Sequence, residues 1–137
     1  MENLLKSIKE NEGYSKTVYK CTQGYDTIGY GFAIKDLELS KDICEILLRE
    51  KLEKLKKDIE NRFEWFVDAP ELIQEVVIEM CFQLGINGFS KFKKTIYLFE
   101  TNQYDEASVE MLDSLWAKQT SNRAKKLSES VASVDNG

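Results

Sequence analysis

The chain has 137 residues with 19 basic and 24 acidic side chains, which gives a formal net charge of −5. This length suits one domain, and a hydrophobic fraction of 42% is enough for a sizeable core. The sequence contains no histidine, which excludes Ser–His and Cys–His nucleophilic systems, His-ligated metal sites and a histidine general base. Acid–base chemistry must therefore come from carboxylates, thiols, lysines or tyrosines.

The N-terminal part of the chain predicts a short helix followed by a small sheet. Leu4, Leu5 and Ile8 form one apolar helix face, and Gly13 ends the helix. The glycine-rich stretch beyond it, with a turn at 22–24, predicts a β-hairpin or meander. A sheet of this size is stable only when it packs on helices.

From Ser40 onward the pattern is helical. Ser40 is the expected cap of a helix with an apolar stripe. The stripe consists of Leu48, Leu52, Leu55, Ile59 and Phe63. Asp68 is the expected N-cap of the next helix, which is apolar on nearly all sides and ends at Gly85.

Three more helices are expected in the C-terminal part of the chain. Apolar residues at helical spacing predict one helix over 89–99 and another over 107–116. Ser121 is the expected cap of a last helix, and the tail 133–137 is expected to fray. The sequence as a whole predicts an α+β fold that is mostly helical.

The cysteines and the N-terminal segment indicate the compartment in which the protein is made. Cys21, Cys44 and Cys81 form no CxxC pair, so neither a zinc site nor a disulfide framework is indicated, and free thiols fit a reducing environment. No apolar run approaches the about 20 residues of a membrane helix, and no signal peptide is visible. We expect a protein made in a cytoplasm, with no cofactor, no metal and no direct membrane insertion.

The charges are unevenly distributed along the chain. Residues 91–126 carry seven basic and five acidic side chains, a net charge of +2 in an acidic chain. Four of the basic residues lie close together: Lys118, Arg123, Lys125 and Lys126. This cluster suits an anionic polymer, but nucleic acid is not expected because the overall balance is acidic and no nucleic-acid-binding motif is present.

Four residues are candidates for a functional site because of their positions in the predicted helices and strands. Glu12 lies at the C-terminal end of a helix, where the macrodipole disfavours the ionised carboxylate, as suits a general acid, although a surface glutamate fits the same position. Cys21 also fits a half-buried apolar position, and Thr27 fits a plain strand former. Arg123 is either a surface arginine or the partner of an acid.

Three blocks of the sequence resemble the T-even phage lysozymes, which are endolysins and muramidases. In the first, Glu12 is followed after eight residues by Cys21 and after five more by Thr27, in the context Gly-Tyr-Asp-Thr-Ile-Gly-Tyr-Gly at 24–31. The second is Glu-Met-Cys-Phe-Gln-Leu-Gly at 79–85. The third comprises Tyr-Asp-Glu-Ala at 104–107, the tryptophan at 116 and Gln-Thr-Ser-Asn-Arg-Ala-Lys at 119–125.

The resemblance implies a two-lobed α+β lysozyme in one domain, 1–137. The small lobe would be about 13–60 and the helical lobe about 61–132 plus helix 2–12, flanking a cleft for the polymer of N-acetylmuramic acid and N-acetylglucosamine. Glu12 would protonate the glycosidic oxygen and Thr27 would help to place the attacking water. Arg123 would pair with the neighbourhood of the catalytic glutamate and order the cleft floor. Further substrate-binding positions implied by the resemblance are Ala33, Phe82, Gln83, Thr95 and Asn122.

The chain departs from the family pattern at Cys21, where the family has aspartate. A thiol with the ordinary pKa near ~8.5 is only about 3% thiolate at neutral pH. Cys21 is then a base or a nucleophile, or Glu12 acts nearly alone as in lytic transglycosylases, or the protein binds glycan without cleaving it. The favoured function is hydrolysis of the β-1,4 bond between N-acetylmuramic acid and N-acetylglucosamine, with Cys21 as a catalytic residue.

The resemblance also implies how the protein reaches its substrate. An endolysin of this kind is expected as a monomer in the host cytoplasm, and it acts on bacterial peptidoglycan after a holin or another factor opens the membrane. A rival interpretation is a helical adaptor that uses its apolar central helix as an interaction surface. The hairpin glycines and the spacing of Glu12, Cys21 and Thr27 argue against that adaptor.

Overall fold

A computed structural model describes residues 1–136. Contacts within the chain separate two compact units, Met1–Glu45 and Ile46–Gly137. The first unit contains a helix and a three-stranded sheet, and the second is helical. The predicted α+β class, mostly helical with one small sheet, is confirmed. The boundary of the units differs from that of the predicted lobes, because the first helix groups with the sheet and the division comes before residue 60.

The first unit begins with helix α1, Glu2–Glu12. Gly13 ends it at φ 69°, with its N–H donating to the Lys9 carbonyl. The strands β1 (Ser15–Lys20), β2 (Asp26–Gly29) and β3 (Phe32–Ala33) follow and pair antiparallel in chain order. A 3-10 turn at Ile34–Asp36 follows the sheet. The predicted helix and meander are therefore confirmed.

Helix α2 spans Lys41–Arg62. The Ser40 hydroxyl accepts a hydrogen bond from the Ile43 N–H at 3.2 Å, so the predicted cap is confirmed. The predicted apolar stripe is buried only towards its end, where Ile59 is fully buried and Leu55 packs against the core. Leu48, near its start, is 44% exposed.

Helix α3 spans Glu71–Ser90 and is broken at Gly85, which adopts φ 77° and ψ 159°. The predicted end of the apolar helix at Gly85 is therefore confirmed as a break, after which a second helical segment continues. The predicted cap at Asp68 is wrong. Residues Glu64–Asp68 form a 3-10 turn of their own, and Pro70 takes the N-cap position with no side-chain hydrogen bond.

Four shorter helices complete the chain: α4 (Lys93–Glu100), α5 (Tyr104–Leu112), α6 (Leu115–Gln119) and α7 (Ser121–Ala132). The single helix predicted over 89–99 is wrong, because Phe92 is the N-cap of α4 and separates it from α3. The helix predicted over 107–116 is also interrupted, because the Ser114 hydroxyl accepts from the Ala117 N–H and begins α6. Thr120, rather than Ser121, occupies the N-cap position of α7.

The C-terminal tail folds back onto α5. The Asn136 side-chain oxygen accepts from the backbone N–H of Tyr104 at 2.8 Å and of Asp105 at 3.2 Å. The predicted fraying is therefore wrong for 133–136, because these bonds satisfy donors that a helix N-terminus leaves free. Gly137, the last residue of the tail, lies outside the described residues.

The hydrophobic core described for the chain lies in the second unit. Its largest fully buried side chains include Phe66, Phe89, Phe99, Tyr104, Met80 and Met111. In the described part of the chain, no helix combines the length and the apolar character needed to cross a membrane. Nor do residues 1–136 bring together three His, Cys, Asp or Glu side chains that could hold a metal ion.

Candidate active site

Glu12 is the last residue of α1, and its carboxylate lies over the turn between β2 and β3. A Cβ built on Gly31 would clash with a carboxylate oxygen of Glu12 and would lie 2.8 Å from the Cδ atom. Gly31 also adopts φ 76°, a backbone conformation that favours glycine. The sequence therefore leaves room for the Glu12 carboxylate by placing a glycine under it.

Cys21 lies directly after β1, at the start of a tight turn. Its N–H donates to the Tyr25 carbonyl at 2.9 Å, and the Gly24 N–H donates to the Cys21 carbonyl at 2.8 Å. Gly24 makes this closure possible at φ 83°. The backbone N–H groups inside the turn are consequently held on the side of the Cys21 sulfur.

These N–H groups change the acidity of the thiol. Hydrogen bonds from the backbone N–H of Tyr25, and next from that of Gln23, lower the pKa of Cys21 below its ordinary value. Desolvation opposes the effect, and smaller contributions in the same lowering direction come from the Thr27 hydroxyl and the Gly24 N–H. The turn thus favours the thiolate in the way that a ring of amide donors favours any anion.

Thr27 lies on β2 between both neighbouring strands, opposite Tyr19 of β1 and Ala33 of β3. It is 3% exposed, and its hydroxyl donates to the Tyr25 carbonyl at 2.9 Å. The structure therefore brings Thr27 and Cys21 together through Tyr25. Ala33 is half-buried beside Thr27 at the edge of the sheet.

In the second unit, Arg123 pairs with an acid across 44 residues of sequence. Its Nε donates to Oε2 of Glu79 at 2.7 Å, and both side chains are partly exposed. The Lys51 ammonium lies 5.0 Å from the ring centroid of Phe82. Phe82, Glu79 and Arg123 line one groove of about 580 Å³, whose apolar wall includes Leu48, Leu52 and Ile78.

The other predicted substrate-binding residues lie outside the lining of that groove. The Gln83 side-chain oxygen accepts from the indole N–H of Trp116 at 2.9 Å. Thr95 is 2% exposed and borders a second cavity of about 550 Å³. Asn122 is exposed in the first turn of α7, next to Arg123 in the sequence.

Sequence reasoning missed three features of these sites. The sequence offered Arg123 as the partner of an acid but did not identify that acid as Glu79, which lies on a helix distant in sequence. The Lys51–Phe82 contact likewise depends on how α2 and α3 pack. The Tyr25 carbonyl is backbone, so the only signal for it was the turn-forming Gly24.

Comparison with known proteins identifies the family of the chain. The family model described as phage lysozyme matches residues 9–130. The chain belongs to the phage lysozyme family. The matched span contains every residue predicted at the site, from Glu12 to Arg123.

Known proteins similar to this chain include two that are named as lysozymes. Both are from Dictyostelium discoideum. Probable T4-type lysozyme 1 is 28% identical to this chain over 150 residues, and the match covers 88% of each chain. Probable T4-type lysozyme 2 is 26% identical over 156 residues, and the match covers 93% of this chain and 92% of the relative. The Pre-baseplate central spike protein Gp5 of Enterobacteria phage T4 is 25% identical over 155 residues, covering 91% of this chain and 27% of that protein. Family membership supports a lysozyme-type peptidoglycan hydrolase.

Proposed function

We propose that this phage lysozyme hydrolyses the β-1,4 bond between N-acetylmuramic acid and N-acetylglucosamine, with Glu12 as general acid and the Cys21 thiolate as general base. The observation that carries the proposal is the turn at 21–25, whose backbone N–H groups lower the pKa of the Cys21 thiol. A thiol in place of a carboxylate is an obstacle to base catalysis only while it stays protonated. This turn reduces that obstacle.

The Cys21 thiol and the Glu12 carboxylate lie at opposite ends of the hairpin segment that runs from Thr27 to Gly31. Cys21 is in contact with Thr27, whereas Glu12 lies over Gly31, beyond the end of β2. Inverting glycosidases separate their two groups by roughly 6.5–9.5 Å so that water fits between base and sugar, and the proposed reaction requires such a separation between the Cys21 sulfur and the Glu12 carboxylate.

The reaction balances as an inverting hydrolysis. The Cys21 thiolate removes a proton from water, whose oxygen forms a bond to the anomeric carbon. The glycosidic bond breaks, and its electron pair goes to the leaving oxygen, which takes the proton from Glu12. Cys21 then loses its proton to solvent and Glu12 regains one, which restores both groups.

The groove of the second unit supplies features that suit a peptidoglycan strand. The partly exposed ring of Phe82 offers an apolar face for a sugar, and the Lys51 ammonium beside it offers a positive charge. Within residues 1–136, the Nε of Arg123 donates to Glu79, and the remaining guanidinium donors can bind a substrate carboxylate. Ala33, Gln83, Thr95 and Asn122 remain predicted substrate contacts.

The route to the substrate is also part of the proposal. Free cysteines suit synthesis in a reducing cytoplasm. A protein made there reaches the cell wall only after a holin or another factor opens the membrane, and we propose that it then acts as a monomer.

Product analysis tests the proposed reaction. The purified protein and its Glu12→Gln, Cys21→Ser and Cys21→Asp variants are incubated with purified peptidoglycan, and the fragments are identified by mass spectrometry. Cys44→Ser is the matched control, because Cys44 is an exposed thiol outside the site. We expect reducing-end muropeptides from the native protein, Cys44→Ser and Cys21→Asp, and a large loss in Glu12→Gln and Cys21→Ser.

Other products would contradict the proposal in distinct ways. Fragments with 1,6-anhydro ends from both the native protein and Cys21→Ser would make the protein a lytic transglycosylase that depends on Glu12 alone. Full activity in Glu12→Gln would remove the assigned acid. Binding of peptidoglycan without any fragments would leave a glycan-binding module.

A further inference from the structure

We propose that Thr27 is a positioning residue for Cys21: its hydroxyl, fastened to the Tyr25 carbonyl, holds the turn whose N–H groups face the Cys21 sulfur. This inference rests on the proposed function, because it explains how a thiol at this position is made to serve as a base. The placing of the attacking water, which the family resemblance implies for Thr27, stays a separate prediction.

The Tyr25 carbonyl is the point where both ends of the turn are held. It accepts one hydrogen bond from the Cys21 N–H and a second from the Thr27 hydroxyl, each at 2.9 Å. The Gly24 N–H closes the same turn on the Cys21 carbonyl at 2.8 Å. Since Thr27 is paired with strands on both sides, its hydroxyl links this turn to the central strand of the sheet.

The hydroxyl of Thr27 is buried and directed towards the turn. The residue is 3% exposed, and its single hydroxyl proton is directed to the Tyr25 carbonyl. When Cys21 is ionised, the hydroxyl can turn this proton from the Tyr25 carbonyl to the sulfur, so it donates to one acceptor or the other. Both contacts act on Cys21 or its turn.

The charged groups around the turn do not perform this function themselves. Lys20 of β1 and Asp26 of β2 pair with each other at 2.7 Å beside the turn. Lys35, from the 3-10 turn after β3, lies over the Tyr25 ring at 3.9 Å. The causes that lower the Cys21 pKa are hydrogen bonds from backbone N–H groups and from the Thr27 hydroxyl.

The test measures the acidity of Cys21 separately from glycan cleavage. Alkylation by iodoacetamide is followed as a function of pH in a Cys44→Ser background, with Thr27→Val and Thr27→Ser compared against native Thr27. Valine keeps the β-branched shape but removes the hydroxyl, whereas serine keeps the hydroxyl. Circular dichroism and urea unfolding check that each variant is folded, and Thr27→Ser keeps the test decisive if Thr27→Val fails to fold.

We expect Thr27→Val to move the alkylation profile to higher pH and to slow alkylation at neutral pH by about three- to tenfold, the effect of one hydrogen bond. Peptidoglycan cleavage should shift to higher pH in parallel, and Thr27→Ser should restore both profiles. If Thr27→Val loses cleavage while its alkylation profile is unchanged, or if Thr27→Ser alkylates unlike native protein, the inference is wrong. If the native protein cleaves no glycan although the alkylation profiles shift as expected, the proposed function fails and the positioning role stands.

Discussion

Replacing Gly31 with alanine tests whether this glycine positions the Glu12 carboxylate, as distinct from any effect on the stability of the fold. The added Cβ would lie 2.8 Å from Cδ and 3.3 Å from Cγ of Glu12, whereas carbon atoms are in favourable contact at about 3.5–4.0 Å. Glu12 is exposed and its carboxylate is the far end of a flexible side chain, so the clash is relieved by moving that carboxylate by about 1 Å. A displacement of this size in a catalytic group costs about a hundredfold in rate.

The control is alanine at Gly85, which isolates the strain of the backbone. Gly85 adopts φ 77°, almost the same as the 76° of Gly31, but a Cβ added there has no neighbour within 4 Å. Alanine at a positive φ is strained by about 1–3 kcal/mol, so both variants should lose free energy of unfolding. Only Gly31→Ala should lose glycan cleavage.

The assay pairs urea unfolding with release of fragments from purified peptidoglycan. We expect Gly31→Ala to cleave about a hundredfold more slowly than Gly85→Ala when both are fully folded. Equal cleavage rates, within about threefold, would refute the reasoning that Gly31 exists to leave room for the Glu12 carboxylate.

Two further predictions concern the helical unit. Burial raises the pKa of Cys81 from 9.0 to about 12, so at pH 8 its thiol should be alkylated about a thousandfold more slowly than an ordinary thiol. Peptide mapping of the alkylated protein, with and without urea, checks this rate. Labelling of Cys81 in the native protein at the rate of the exposed Cys44 would contradict the prediction. Gln83→Leu removes the acceptor from the indole N–H of buried Trp116 and should lower the free energy of unfolding by about 1–3 kcal/mol. Gln83→Glu keeps an acceptor and should lose less in the same urea titration, so equal losses would argue against the hydrogen bond as the cause.

The sequence predicted those helix ends that depend on adjacent residues. The cap at Ser40 involves a backbone N–H only three residues away. The cap predicted at Asp68 failed because the preceding residues gain more from a separate 3-10 turn, with Pro70 entering the helix. At α7, the Thr120 hydroxyl donates to the Trp116 carbonyl, so α6 leads directly into α7 and Ser121 is already helical.

The candidate site was predictable in its residue types but not in its contacts. The spacing of Glu12, Cys21 and Thr27 was visible in the sequence, and the structure places all three on the first unit. The stabilisation of the Cys21 thiolate comes from backbone N–H groups, which every residue carries and no side-chain pattern reveals. The partner of Arg123 depends on how α3 and α7 pack, which is set by the whole core.

The hydrogen bonds that Asn136 accepts make two backbone amides of α5 reporters of whether the C-terminal tail is attached. The N–H groups of Tyr104 and Asp105 belong to the first turn of a helix, where amides ordinarily face water and exchange their hydrogens quickly. Here each is bonded to a side chain about 30 positions further along the chain. Their exchange with deuterium therefore requires the tail to detach, and their protection measures the free energy of that local opening.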